Sequence, residues 1–174
     1  MDFTNLTNSV LNEDSTDTLR FIKKGTPDDI RRYVMNGSKG SLDMESTSLT
    51  ELPDTLNTIG GYGNFTRTKI TDVSMLKNVK GFLNLQGLGI THLPDNLNVD
   101  GTLNIRDTNI SVLPANLTVG GSLLAGGTNL TSLPNSLTIN GNITLTNTPL
   151  AAKYSKEEIE RMPAMAGIGG KVIV

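Results

Sequence analysis

The chain is expected to fold as an α/β solenoid, on three observations. A unit of 20 residues, G-x-L-x-L-x-x-T-x-I-T-x-L-P-x-x-L-x-V-x, starts at Gly40, Gly61, Gly81, Gly101, Gly121 and Gly141. A fixed period of this length marks stacked, self-similar coils. In each unit the third and fifth places are apolar, as at Leu42 and Met44, Leu83 and Leu85, Leu103 and Ile105, and Ile143 and Leu145. That is the period-two signal of a short strand with one buried face. Proline follows an apolar residue at Leu52-Pro53, Leu93-Pro94, Leu113-Pro114 and Leu133-Pro134. It has no N–H and fixes φ, which suits an irregular or 3₁₀ return arm and excludes a regular helix there.

The elements follow in chain order. Residues 1–15 are rich in Asn, Thr, Ser and Asp and form a polar arm, either disordered or docked on a partner or sister subunit. Residues 16–39 read as a helical cap. Leu19, Phe21 and Ile22 before Gly25 suggest a short first helix, and Thr26-Pro27-Asp28-Asp29 supplies an N-cap, a proline at the first helical place and acids in the first turn of a second. Ile30, Tyr33 and Val34 share one face of that helix, Gly37 stops it, and Arg31 and Arg32 lie off the face, solvated. The cap covers the open end of the stack.

Residues 40–150 hold about six coils, with one extra residue between Leu56 and Ile59. Stacking gives a parallel sheet, while Ile110, Leu113, Leu117 and Val119 fill the same core from the return arm. The second coil is the most eroded, with Gly63 and Lys77 at leucine places. In residues 151–174, Ser155 and Glu158 form a capping box, with Tyr154 and Ile159 at the staple positions of a helix that ends before Pro163 and presents Ile159 and Met162 to the last coil. Gly170, Val172 and Val174 repeat the glycine and leucine places, so a final strand is expected beside the sixth.

Composition narrows the function. Fifteen basic against 17 acidic residues give a net charge of −2, which makes no electrostatic case for nucleic acid or an anionic membrane. Without cysteine there is no disulfide, thiolate metal site or thiol nucleophile, and no cofactor motif is present. No export signal and no long apolar run is found, so a soluble cytoplasmic protein is expected.

The unit resembles the short leucine-rich repeat of the bacterial Leu-Pro-x-x-Leu type over about two-thirds of the chain, and its glycine-rich form is most similar to leucine-rich repeat proteins encoded by bacteriophages. One departure stands out: the family's asparagine place holds Thr47, Thr68, Thr108, Thr128 and Thr148, with Leu88 in the third coil. A weaker hydroxyl ladder is expected there. The resemblance implies a sheet on a concave face, the usual binding surface of such solenoids, and a non-catalytic module that binds a viral or host protein through that face or its terminal caps, as a component of a virus particle or as a host-directed factor. Secreted bacterial relatives of this type carry a ligase domain with a cysteine nucleophile, and a fragment-like relative of those effectors without the catalytic domain is a further alternative.

Outward side chains on the strands fall into three columns: Ser41, Tyr62, Phe82, Thr102, Ser122 and Asn142; Asp43, Asn64, Asn84, Asn104, Leu124 and Thr144; Glu45, Thr66, Gln86, Arg106, Gly126 and Thr146. Tyr62 and Phe82 stand on adjacent strands, and neighbouring exposed aromatics are typical anchors of protein contacts, or else a cross-strand pair that stabilises the sheet. Partner-binding candidates are therefore Tyr62, Phe82, Asn64, Asn84, Asn104, Arg106 and Leu124. The Asn/Thr-rich face leaves a carbohydrate- or surface-binding solenoid as the alternative, and the asparagine run either serves a ligand or bonds along the ladder. Lone His92, placed on the convex side, makes neither a metal site nor a triad. Asp43 and Glu45 lack an opposed acid or base, and the paired glycines lack a phosphate-loop context. Nothing here fixes an oligomeric state.

Overall fold

The computed structural model describes residues 26–174 of the chain, so the arm at 1–15 and the helix expected at 16–24 lie outside the described residues. Helix α1 spans Pro27–Met35 and begins as its sequence dictates. The Thr26 side chain accepts the Asp29 N–H while Asp29 accepts the Thr26 N–H, a reciprocal cap worth about 1 kcal/mol. Ile30 and Tyr33 are buried. The Tyr33 hydroxyl bonds the Ser38 and Gly40 carbonyls at 2.8 Å and accepts the Gly60 N–H at 3.0 Å, fastening the cap to the first turn. Arg32 is not merely solvated, because its guanidinium lies 2.7 Å from the buried Asp29 carboxylate. Arg31 pairs with Asp28 at the surface.

The chain then winds as a parallel β-solenoid of about five regular turns. One sheet contains β1 (Leu42–Asp43), β3 (Gly63–Asn64), β5 (Leu83–Asn84), β7 (Leu103–Asn104), β9 (Leu123–Leu124), β11 (Ile143–Thr144) and β12 (Val172–Ile173). Its register places Leu83, Leu103, Leu123 and Ile143 in one column. The extra residue of the first turn is absorbed before β3, where Leu42 pairs with Gly63.

A second parallel sheet was not expected. It comprises β2 (Thr58–Ile59), β4 (Asn78–Val79), β6 (Asn98–Val99), β8 (Thr118–Val119) and β10 (Thr138–Ile139). The return arm is therefore irregular only between the sheets. The cause is visible in Leu117-Thr118-Val119, where Leu117 and Val119 are fully buried: the same inward alternation that builds the first sheet, ending on a β-branched residue.

Leu103, Ile105, Ile110, Leu117 and Val119 are all fully buried, so each turn closes its own section of one continuous core. The eroded second turn is repaired locally. A Cβ on Gly63 would lie 2.9 Å from Ile59, 3.1 Å from Leu83 and 3.2 Å from the Phe65 ring, which together close on the space a leucine would take, and Leu76 is fully buried where Lys77 turns outward. Between turns the backbones touch at a glycine column. Gly101 N–H bonds the Gly81 carbonyl at 3.0 Å, and a Cβ there would lie 2.8 Å from the Gly81 carbonyl carbon.

The threonine hydroxyls do not form a ladder from coil to coil. Thr47, Thr68, Thr108, Thr128 and Thr148 each donate at 2.7–2.8 Å to the carbonyl three residues back, from Met44, Phe65, Ile105, Ala125 and Leu145. A short side chain in a tight turn reaches its own backbone first. The residue before each of these threonines has positive φ, including Arg67 at 58° and Asp107 at 58°.

After β11 the course changes. Helix α2 (Pro149–Lys153), unforeseen, starts at Thr148 with the same threonine–proline entry as α1. Helix α3 (Lys156–Glu160) has the expected Ser155/Glu158 capping box, followed by a 3₁₀ turn at Pro163–Gly167. Ile159 is fully buried and Met162 packs against the core, closing the end of the stack. Ile168 then bridges Ile139 in parallel, and β12 joins β11 as expected. Val172 is buried, but Val174, expected inward, is 41 % exposed. No helix among the described residues is long and apolar enough to cross a membrane.

Candidate functional site

The outward face of the seven-stranded sheet is built from alternate residues of each strand, and each column has its own chemistry. In the first, hydroxyl and amide oxygens accept the N–H of the next turn. Ser41 Oγ accepts from Tyr62 at 3.1 Å, Thr102 Oγ1 from Ser122 at 3.4 Å, Ser122 Oγ from Asn142 at 3.0 Å, and Asn142 Oδ1 from Lys171 at 2.8 Å. These small residues extend the sheet's hydrogen bonding one place beyond the strands.

Tyr62 and Phe82 interrupt this column. Register puts them side by side, with ring centroids 4.7 Å apart and planes within 3° of parallel. The separation matches the strand spacing of about 4.8 Å, so the rings stand as two plates on successive turns. Phe82 is 44 % exposed, one of the few large apolar side chains left at the surface. A phenyl ring offers no oxygen to the next turn, so at Phe82 the repeat gives up a structural bond for exposed apolar area. Burial, and then the neighbouring Asp43 carboxylate, holds the Tyr62 phenol above its ordinary value.

The second column is mostly turned on itself. Asn64, Asn84 and Asn104 accept the N–H groups of Thr66, Gln86 and Arg106 at 3.2–3.3 Å, ending each strand in an Asx turn. Asn104 Nδ2 also donates to Asn84 Oδ1 at 3.0 Å and to Gln86 Oε1 at 3.2 Å. Asn64 Nδ2 donates to Glu45, whose carboxylate also meets Arg67 at 3.1 Å. The amides thus bond along and across the ladder. Leu124, half-buried, ends the asparagine run beside Asn104. In the third column Arg106 is half-buried, and among the described residues its guanidinium makes no ion pair.

The sequence thus brought Tyr62, Phe82, Asn84, Asn104, Arg106 and Leu124 onto one face, with Asn64 at its margin. The Glu45–Arg67 pair was missed, since Arg67 belongs to the turn after its strand and no column placed it there. Elsewhere, His92 is exposed, its Nδ1 2.7 Å from the Thr91 hydroxyl. Asp72 is held below the usual carboxylate range by the Ser74 N–H and hydroxyl, with a smaller contribution from His92. No group of three or more metal-ligating side chains occurs among the described residues. An open cleft of about 550 Å³ lies between α1 and the first turn, lined by Arg31, Val34, Met35, Glu51 and Leu52.

The fold defines the class, a parallel β-solenoid with helices at its ends. No protein family and no curated protein matches the chain.

Proposed function

We propose that this is a non-catalytic protein-binding module of the leucine-rich repeat type, with about six coils, that holds a viral or host protein partner on the outward face of its longer sheet. One observation carries the reading: the stacked Tyr62 and Phe82 rings stand at the surface where other turns place a hydrogen-bond acceptor. At Phe82 the repeat gives up a hydrogen-bond acceptor for apolar area that stays 44 % exposed, and exposed aromatic clusters anchor protein contacts. The bacteriophage resemblance makes a virus-particle component or a host-directed factor the two forms of this role. A carbohydrate-binding face has less support, because Asn84 and Asn104 bond to each other.

The test is affinity capture with the native chain and with Tyr62→Ala/Phe82→Ala. Specific partners captured by the native chain should be lost with the double variant, whose thermal unfolding should stay cooperative. Unchanged capture rejects the sheet face. A glycan array with the native chain reads the carbohydrate alternative directly.

A further inference from the structure

The aromatic stack is open at one end. Tyr62 covers one face of Phe82, and the next place in the column belongs to Thr102, a small half-buried residue whose hydroxyl is engaged by the Ser122 N–H. The register Leu83 to Leu103 keeps the strand spacing, so the space above Thr102 is one plate thick: about 4.8 Å, the separation of two stacked rings. Four residues further on, in the turn that follows β7, stands Arg106, no more than about 13 Å away by the reach of an extended chain. The carboxylates near this stretch are already engaged. Glu45 meets Arg67 at 3.1 Å, and Asp107 accepts from Gln86 at 3.2 Å. Arg106 is left as a cation with no carboxylate held against it among the described residues.

We infer that the open face of Phe82 above Thr102 receives an aromatic side chain of an extended partner segment, whose acidic residue four places away reaches Arg106. The inference rests on the sheet face being a protein-binding surface, and it names the chemistry recognised there. The ring of the partner becomes the third plate of the stack, and the guanidinium sets its direction by charge complementarity. An apolar residue between the two anchors would lie toward Leu124.

The chain has no tryptophan, so the emission of a tryptophan peptide reports its own environment without background. The probes are acetyl-Trp-Thr-Thr-Thr-Glu-amide and its counterpart ending in Lys. Titration with the native chain should give a saturable blue shift with the Glu peptide and about fivefold weaker binding with the Lys peptide. Thr102→Phe, which fills the space with the chain's own ring, should weaken the Glu peptide by about tenfold or more, while Thr102→Val, which removes only the hydroxyl, leaves it within about twofold. Arg106→Gln should abolish the preference for Glu over Lys. The inference is overturned by the absence of saturable binding, by equal binding of Thr102→Phe and Thr102→Val, or by equal affinity for the two peptides. If Tyr62→Ala/Phe82→Ala removes partner capture while Thr102→Phe leaves it intact, the slot fails and the binding face stands. If capture survives both, the binding face fails as well.

Discussion

The ring of Phe82 lies 4.7 Å from that of Tyr62 and within 3° of parallel, although 20 residues separate them in the chain. Solenoid winding alone brings them together. A double-mutant cycle over Tyr62→Ala and Phe82→Ala should give a coupling of about 0.5–1.5 kcal/mol in unfolding free energy. Zero coupling would mean that the rings do not stack in solution.

At the glycine column the backbones of successive turns meet. Gly101→Ala sets a Cβ 2.8 Å from the Gly81 carbonyl carbon and the Phe82 nitrogen, both backbone, so the turns must part. Loss of about 3 kcal/mol or more is expected by denaturant unfolding. Gly89→Ala is the control, because its Cβ meets only the Thr71 methyl at 3.6 Å. It should lie within about 1 kcal/mol of the native chain.

Arg67 sits at φ 58°, a conformation costing an L-residue about 1 kcal/mol or more. Its ion pair with Glu45 offsets little, since the Arg67 side chain is 77 % exposed. Arg67→Gly should therefore raise the unfolding midpoint, by the equivalent of about 0.5–1 kcal/mol. A lowered midpoint would show that the pair with Glu45 matters more than the backbone.

Tyr33 joins the cap to the first turn. Tyr33→Phe should cost about 1–2 kcal/mol, moderated because the Gly60 N–H also reaches the Ser38 carbonyl at 2.9 Å. Burial raises the Tyr33 phenol above 10.0, with the Gly60 N–H acting in the opposite sense. The folded chain thus holds this proton more tightly than the unfolded chain. Stability from Tyr33 is fully present below pH 10.0 and declines as pH rises from there through the higher folded value. The alkaline decline should be steeper in the native chain than in Tyr33→Phe.

What could be read from sequence was what local chemistry decides. Thr26-Pro27-Asp28-Asp29 carries a helix start in four residues, and the alternation at Leu103 and Ile105 carries a strand in three. The same signals went unread at Thr148-Pro149 and at Leu117-Thr118-Val119, because the repeat assigned those places to the end of a coil and to the return arm. The destinations of the hydroxyls were not legible. Whether Thr108 bonds the next coil or its own Ile105 carbonyl depends on the turn following the strand, which the left-handed conformation of Asp107 sets. On the binding face the period alone paired Tyr62 with Phe82, while the use of Asn84 by Asn104 required side-chain geometry.

The most direct measurement places a photo-crosslinking phenylalanine analogue at position 82, and separately at position 112. Val112 is exposed to 56 % on the return arm, away from the sheet face. With lysate of cells that make the protein, irradiation should yield discrete protein adducts from position 82 and none from position 112. Adducts at position 112 with none at position 82 would contradict a partner held on the Tyr62–Phe82 face.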